Sequence, residues 1–186
     1  ILELAGGAHG VHAQVHAFNI VGSLVSKKAL SARVDGYLDA VLVRILEAYT
    51  HPDWSVRNAA SIAFNLVVKR RVATASFTEF FARFPALYRH LLAHIGALVR
   101  DHGATDTQQA SLFAVLTLLA RLQPSAYIAT AAPSDQQPHA AAEPLDPEAF
   151  VAPLRECARQ RTFRIREAAA YALVPIVHPS RAAALC

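Results

Sequence analysis

The sequence contains few charged residues, two cysteines and no methionine. Charged residues make up 17% of the 186 residues and hydrophobic residues 54%, a balance too apolar for a disordered chain. The two cysteines, Cys157 and Cys186, have no CxxC or metal-site spacing, so we expect reduced thiols in an intracellular protein. Because the chain begins at Ile1 and has no methionine, we expect a fragment or a processed product.

The chain also lacks the sequence motifs of most enzymes. Gly6, Gly7 and Gly10 follow no strand pattern, so they do not predict a turn that holds a phosphate or a dinucleotide. No Ser-His-Asp word and no pair of carboxylates on one predicted helix stands out. We therefore expect no catalytic residues, no cofactor and no small-molecule substrate.

Residues 4–26 carry no formal charge and raise the question of a membrane span. They include four glycines and the polar side chains of His9, His12, Gln14 and His16, which are costly or destabilising in hydrocarbon. No basic-then-apolar signal segment precedes them. We expect no membrane insertion.

An internal repeat is the strongest pattern in the sequence. Residues 54–64 (WSVRNAASIAF) are echoed by residues 163–173 (FRIREAAAYAL) at an offset of 109, since 163 − 54 = 109. The register matches aromatic with aromatic, Val with Ile, Arg with Arg and Ala-Ala with Ala-Ala. Self-similarity of this kind predicts a stacked helical repeat, an architecture that binds partners far more often than it catalyses.

The hydrophobic periodicity predicts an all-α fold, an α-solenoid of HEAT- or armadillo-like helical pairs. We expect one solenoid segment over residues 1–186. Its parts are a helix at about 11–25, helical pairs at about 34–71, 85–122 and 147–177, and a flexible Pro/Ala-rich loop at 123–146. The aromatic connection 73–84 is expected to dock on the helices.

We call the segment that occurs at residues 54–64 and again at 163–173 the repeated word. Each of its residue types has a predicted structural role. The small alanines let the second helix of a pair approach its neighbours, and Trp54 or Phe163 plugs the seam where the pair turns. Arg57 and Arg166 stand near a helix start, where a cation needs an anionic partner. Asp53 or Asp35 could pair with Arg57, whereas Arg166 lacks that local partner because Thr162 stands in place of Asp53. For both arginines we favour a ladder between repeats over a ligand contact. The repeat signature is Trp54, Val56, Arg57, Phe163, Ile165 and Arg166.

Four words of the sequence resemble, in order, the thyroid adenoma-associated protein (THADA) family. They are residues 15–19 (VHAFN), 54–58 (WSVRN), 80–88 (FFARFPALY) and 171–175 (YALVP). The resemblance covers about residues 11–177, and the third word is its most specific part. It implies a large cytoplasmic α-solenoid that is not itself an enzyme.

The resemblance also implies a function. Family members act as the regulatory partner of a tRNA 2′-O-methyltransferase that modifies the anticodon loop. The catalytic subunit would supply S-adenosylmethionine and the reacting groups, and the solenoid would present the tRNA. The alternative hypothesis is a generic HEAT-repeat scaffold for protein–protein interactions, with no role in RNA binding.

Basic clusters are the candidate sites for RNA. The formal net charge is +4, which permits a nucleic-acid partner without requiring one. The candidate residues are Arg155, Arg159, Arg161, Arg164 and Arg166 in the turn between the last two helices, and Lys69, Arg70 and Arg71 at the end of an earlier helix. Such clusters contact phosphates by charge and shape. The alternative is that they are solvated helix ends or ladders between repeats.

Two groups of histidines have spacings that can bind a metal. These are His9, His12 and His16, and the pair His90 and His94. The pair lacks the glutamate of an HExxH motif and an obvious third ligand. We therefore expect surface or packing histidines and no metal site.

Overall fold

The computed structural model describes residues 3, 5, 9–71, 75–100, 105–124 and 145–177. Nine α-helices lie in these ranges. They are α1 (Val11–Ser26), α2 (Lys28–Val34), α3 (Leu38–Ala48), α4 (Trp54–Arg71), α5 (Phe77–Arg83), α6 (Pro85–Arg100), α7 (Asp106–Ala120), α8 (Val151–Cys157) and α9 (Phe163–Leu173). Short 3₁₀ turns at Asp35–Tyr37 and Pro147–Phe150 precede α3 and α8.

The helices form two layers, which confirms the predicted all-α solenoid. Helices α3, α6 and α8 make the first layer, in which α6 packs against both α3 and α8. Helices α1, α4, α7 and α9 make the second layer, in which α1 packs on α4 and α7 packs on α9. Each first-layer helix also contacts the second-layer helix that follows it in the chain.

Small residues allow the close approach of helices in the second layer. Ala60 and Ala63 of α4 and Ala169 of α9 are fully buried, as their place in the repeated word predicts. A Cβ atom on Gly22 of α1 would stand 3.0 Å from Leu66 Cδ1 of α4. Packing at this distance tolerates little added volume.

Hydrogen-bonding side chains start the helices where the sequence indicates. Asp53 Oδ1 accepts from the backbone N–H of Ser55 at 2.8 Å and so caps the start of α4. Thr105 and Gln108 form a capping box at the start of α7. These local bonds satisfy amides that have no partner within the helix.

The predicted helix start at Val34 is wrong. Val34 ends α2, and the 3₁₀ turn Asp35–Tyr37 separates it from α3. Gly36 lies in this turn, and Tyr37 has φ −108° and ψ −9°, which departs from α-helical geometry. Because the backbone stays nearly helical here, the apolar periodicity runs across the break and hides it.

The aromatic connection docks as predicted, but it is partly helical. Residues Phe77, Phe80 and Phe81 of α5 are buried, and Ser76 and Glu79 form a capping box at its start. The ring of Phe81 stacks on that of Phe150 with centroids 6.1 Å apart. A helix of seven residues is too short to leave a clear periodic signal. Residues 125–144 of the predicted flexible loop lie outside the described residues.

Within the described ranges, no helix combines the length and the hydropathy needed to cross a bilayer. Cys157 is a free, buried thiol of α8. Burial raises the pKa of this thiol to about 12, which keeps it protonated and unreactive at neutral pH.

The side chain of Asp39 joins the first two helical pairs. Its two carboxylate oxygens accept from the backbone N–H groups of Ala86 at 2.9 Å and Leu87 at 2.7 Å. Asp39 lies in the first turn of α3, whereas its two donors open α6. A carboxylate at a helix start both satisfies unpaired amides and complements the helix dipole.

We expect Asp39→Ala to lower the free energy of unfolding by about 1–2 kcal/mol, because it leaves two amides of α6 unsatisfied. Urea denaturation of the purified protein, followed by circular dichroism, measures the change. The control is Asp106→Ala, which removes an exposed carboxylate from the first turn of α7 and should cost less than about 1 kcal/mol. Equal costs for both variants would show that Asp39 does not hold the two pairs together.

Candidate nucleic-acid interface

The five arginines in and around the turn that joins α8 to α9 do not form one patch. Arg155 and Arg159 line a groove on the side of α6, whereas Arg164 lines a different groove beside α7. Arg161 is exposed in the turn between the two helices. The turn therefore distributes its positive charge over both layers of the solenoid.

We call the first of these the basic groove. It has a volume of about 400 Å³ and is lined by Arg100 of α6 together with Arg155 and Arg159. Glu156 is also in the lining and forms an ion pair with Arg159. Three arginines and one glutamate give the groove a formal charge of +2. Arg100 was missed by the sequence analysis, because only the packing of α6 against α8 brings it to the other two arginines.

The second groove lies in the other layer of the solenoid. The guanidinium of Arg164 stands over the ring of Phe113 of α7, 5.9 Å from its centroid. This is the range of a cation–π contact. Phe113 is 40% exposed, so the stacked pair is open to solvent.

Arg57 and Arg166 contact backbone carbonyls, whereas we expected a carboxylate partner for Arg57 and a ladder between repeats for both arginines. Arg57 Nη1 donates to the carbonyls of His51 at 2.6 Å and Pro52 at 2.7 Å. Arg166 Nη1 donates to the carbonyls of Gln160 at 3.1 Å and Arg161 at 2.7 Å. The acceptors are also related by the offset of 109, since 160 − 51 = 109. Both arginines fasten the start of a second-layer helix to the turn before it.

The predicted role of the repeated aromatic residue is wrong. Trp54 is 68% exposed and Phe163 is 65% exposed, so neither plugs a seam. Val56 and Ile165 are buried instead. Each aromatic residue is the first residue of its helix, and the buried Val56 or Ile165 follows it two positions later. Side chains two positions apart in an α-helix point in nearly opposite directions. Burial of Val56 or Ile165 therefore turns the aromatic ring outwards.

The second basic cluster is only partly described. Lys69 and Arg70 are exposed in the last turn of α4, where positive charge complements the helix dipole. The side chain of Arg71 lies outside the described residues.

The histidine pair on α6 takes part in packing. The rings of His90 and His94 stack with centroids 5.5 Å apart, and His94 Nε2 lies 2.7 Å from Ser111 Oγ of α7. Burial, with a smaller effect of His90, lowers the pKa of His94 to about 4, while Glu47 opposes the shift. Among the described residues, no group of three or more potential ligands is placed to hold a metal ion.

The two layers, the repeated junction and the open grooves define the class of protein: a helical-repeat scaffold. Residues 67–186 match the sequence model of a family described as Trm732, C-terminal TPR repeats. The chain therefore belongs to the Trm732/THADA family of helical-repeat proteins.

Curated relatives carry similar names. The tRNA (32-2′-O)-methyltransferase regulator THADA of Chlorocebus aethiops is 32% identical over 95% of this chain, and that of Canis lupus familiaris is 31% identical over 88%. The tRNA (32-2′-O)-methyltransferase regulator trm732 of Schizosaccharomyces pombe is 25% identical over 59%. The chain spans only 9% of the length of the two THADA proteins and 8% of the yeast protein. No solved structure matches the chain significantly.

We expect Arg57→Ala to lower the free energy of unfolding by about 1–3 kcal/mol, because a charged donor to two carbonyls is lost. Thermal or urea denaturation of the purified protein measures the effect. Arg161→Ala is the control, because its side chain is exposed in the turn before α9. If both variants unfold alike, the repeated arginine does not stabilise the junction.

The protein should lose stability as the pH falls from about 6.5 towards 4. In this pH range His94 binds a proton in the unfolded chain but not in the folded protein, because folding lowers its pKa. Protonation therefore favours the unfolded state. The slope from this group is at most about 1.4 kcal/mol per pH unit. Urea denaturation at pH 7 and pH 5 should show a smaller loss for His94→Gln than for the wild type. The exposed His12→Gln should keep the wild-type loss, and an unchanged slope in His94→Gln would contradict this assignment.

Proposed function

We propose that this chain is a segment of a non-catalytic regulatory subunit that supports 2′-O-ribose methylation of the tRNA anticodon loop by a partner methyltransferase. The observation that carries the proposal is the alignment of proteins named tRNA (32-2′-O)-methyltransferase regulators along most of the chain. The proposed site of action is the cytoplasm.

We assign the chemistry to the partner subunit. The described residues form helices and one isolated bridge between Ser76 and Gln123. Among these described residues there is no alternation of strands and helices of the kind that carries a glycine-rich cofactor turn. In this proposal the partner binds S-adenosylmethionine and the solenoid positions the tRNA.

The basic groove and Arg161 are the proposed contact with tRNA. Arg155 and Arg161 are exposed, and neither forms an ion pair with another described residue. Phosphate groups are bound by such arginines through charge, with no base readout. We leave Arg166 out of this contact because it already donates to two carbonyls.

The second candidate function is a protein–protein scaffold with no RNA role. Two observations favour it. Arg166 is engaged in the fold, and Arg159 is paired with Glu156, so part of the predicted RNA cluster has a structural use. The tRNA measurement below discriminates between the two functions.

The double variant Arg155→Glu/Arg161→Glu should bind tRNA several-fold more weakly than the wild type. The slope of log affinity against log salt should fall by about 2, because two phosphate contacts are lost. Filter binding of the intact protein, in complex with the methyltransferase, to tRNA at several salt concentrations measures both quantities.

The control variant Arg33→Glu/Arg121→Glu makes the same change in net charge at exposed positions outside the basic groove. It should retain most of the affinity and the full salt slope. Wild-type behaviour of the Arg155/Arg161 variant would exclude the basic groove as the tRNA site. Failure of the wild-type complex to bind tRNA at all would favour the protein scaffold.

A further inference from the structure

The exposed apolar side chains are concentrated on one layer of the solenoid. Of the eight large hydrophobic residues that are exposed in the described ranges, all except Tyr37 belong to the second-layer helices or directly follow α9. These seven are Ile20, Trp54, Ile62, Phe113, Phe163, Tyr171 and Val174. Helices α3, α6 and α8 of the first layer expose no large hydrophobic residue among those described. Of these seven, Phe113 lines an open groove of the second layer.

A groove opens in this layer between α4 and α7. Helix α1 packs closely on α4 and α7 packs closely on α9, but α4 and α7 do not pack closely on each other. The space between them has a volume of about 380 Å³. We call it the aromatic groove.

The interior of the aromatic groove is apolar and its edge is polar. Phe64 and Ile165 are buried in its lining, and the ring of Phe64 packs edge-on against Tyr49 at a centroid distance of 5.8 Å. Asn65 and Gln109 also line the groove, and both side chains are hydrogen-bonded within the chain, Asn65 to the carbonyl of Ser61 and Gln109 to the hydroxyl of Thr162. An apolar side chain can enter such a groove.

Arg164 is the one charged residue among the described residues that line this groove. Its guanidinium is held over Phe113 by the cation–π contact, and no carboxylate of the described residues pairs with it. A stacked guanidinium loses little freedom when it binds, and its planar donors match the two oxygens of a carboxylate.

We propose that the aromatic groove docks a segment of the methyltransferase partner, with an aliphatic or aromatic side chain between α4 and α7 and a carboxylate on Arg164. This proposal rests on the proposed function, which supplies the partner. Arginine and exposed aromatic side chains are the residues that contribute most to protein interfaces.

The composition of the groove favours a protein segment over RNA. A phosphate backbone is bound by several cations in series, whereas the aromatic groove offers Arg164 alone. The cations suited to phosphates line the basic groove instead. The two grooves are lined by different helices.

Affinity for the purified methyltransferase subunit, measured by titration calorimetry in the absence of tRNA, tests the proposal. Phe113→Ser and Arg164→Glu should each weaken binding by about tenfold or more. Arg164→Lys should fall between Arg164→Glu and the wild type, because it keeps the charge but loses the bidentate contact. Circular dichroism verifies that each variant is folded.

Matched controls lie outside the groove. Ile62→Ser removes an exposed apolar side chain of α4, and Arg121→Glu reverses an exposed charge after α7. Both should bind within about twofold of the wild type. Wild-type affinity in Phe113→Ser and Arg164→Glu would overturn the docking proposal and leave the proposed function intact.

A parallel tRNA titration separates the remaining outcomes. If the groove variants lose affinity for tRNA and keep affinity for the methyltransferase, the aromatic groove binds RNA and the proposal is wrong. If the wild-type protein itself does not bind the methyltransferase, with or without tRNA, the proposed function fails and the docking proposal fails with it.

Discussion

The contact between an arginine and the turn before its own helix is the interaction on which the architecture depends. Arg57 and Arg166 each donate to two carbonyls of that turn. Without this contact, the carbonyls would need water as their hydrogen-bond donor. The guanidinium group would also lack a partner to offset its unfavourable interaction with the positive end of the helix dipole. The contact fixes how α4 and α9 each leave the helix before them, and it occurs twice at the same register.

Once each junction is fixed, the small residues of the repeated word determine the packing. Buried alanines bring α4 against α1 and α9 against α7, while α4 and α7 remain apart. Asp39 then ties α3 to the start of α6 across the pairs. The gap in the second layer therefore results from the packing of the helices on either side of it.

The two layers differ in chemistry, and this difference underlies the proposed division of labour. The first layer carries the basic groove, and the second layer carries the exposed aromatic residues and the stacked pair of Arg164 and Phe113. A scaffold that brings a catalytic subunit and its RNA together needs two distinct surfaces. The proposed tRNA contact includes the basic groove of the first layer, and the proposed protein contact lies where the second layer exposes apolar side chains.

The sequence by itself determined the all-α class, most of the helices and the family. These features depend on local periodicity, on caps such as Asp53 and on words that recur at a fixed spacing, all of which are readable along the chain. The site was only partly predictable: Arg155, Arg159 and Arg161 were candidates, but Arg100 and Phe113 were not. The division of the arginine cluster between two grooves could not be read from the sequence, because it depends on the packing of helices that are distant in the chain. The carbonyl contacts of Arg57 and Arg166 are local, but they depend on the conformation of the turn, and no residue pattern specifies which oxygen a guanidinium reaches. Trp54 and Phe163 face outwards because the packing of the helices buries Val56 and Ile165 instead.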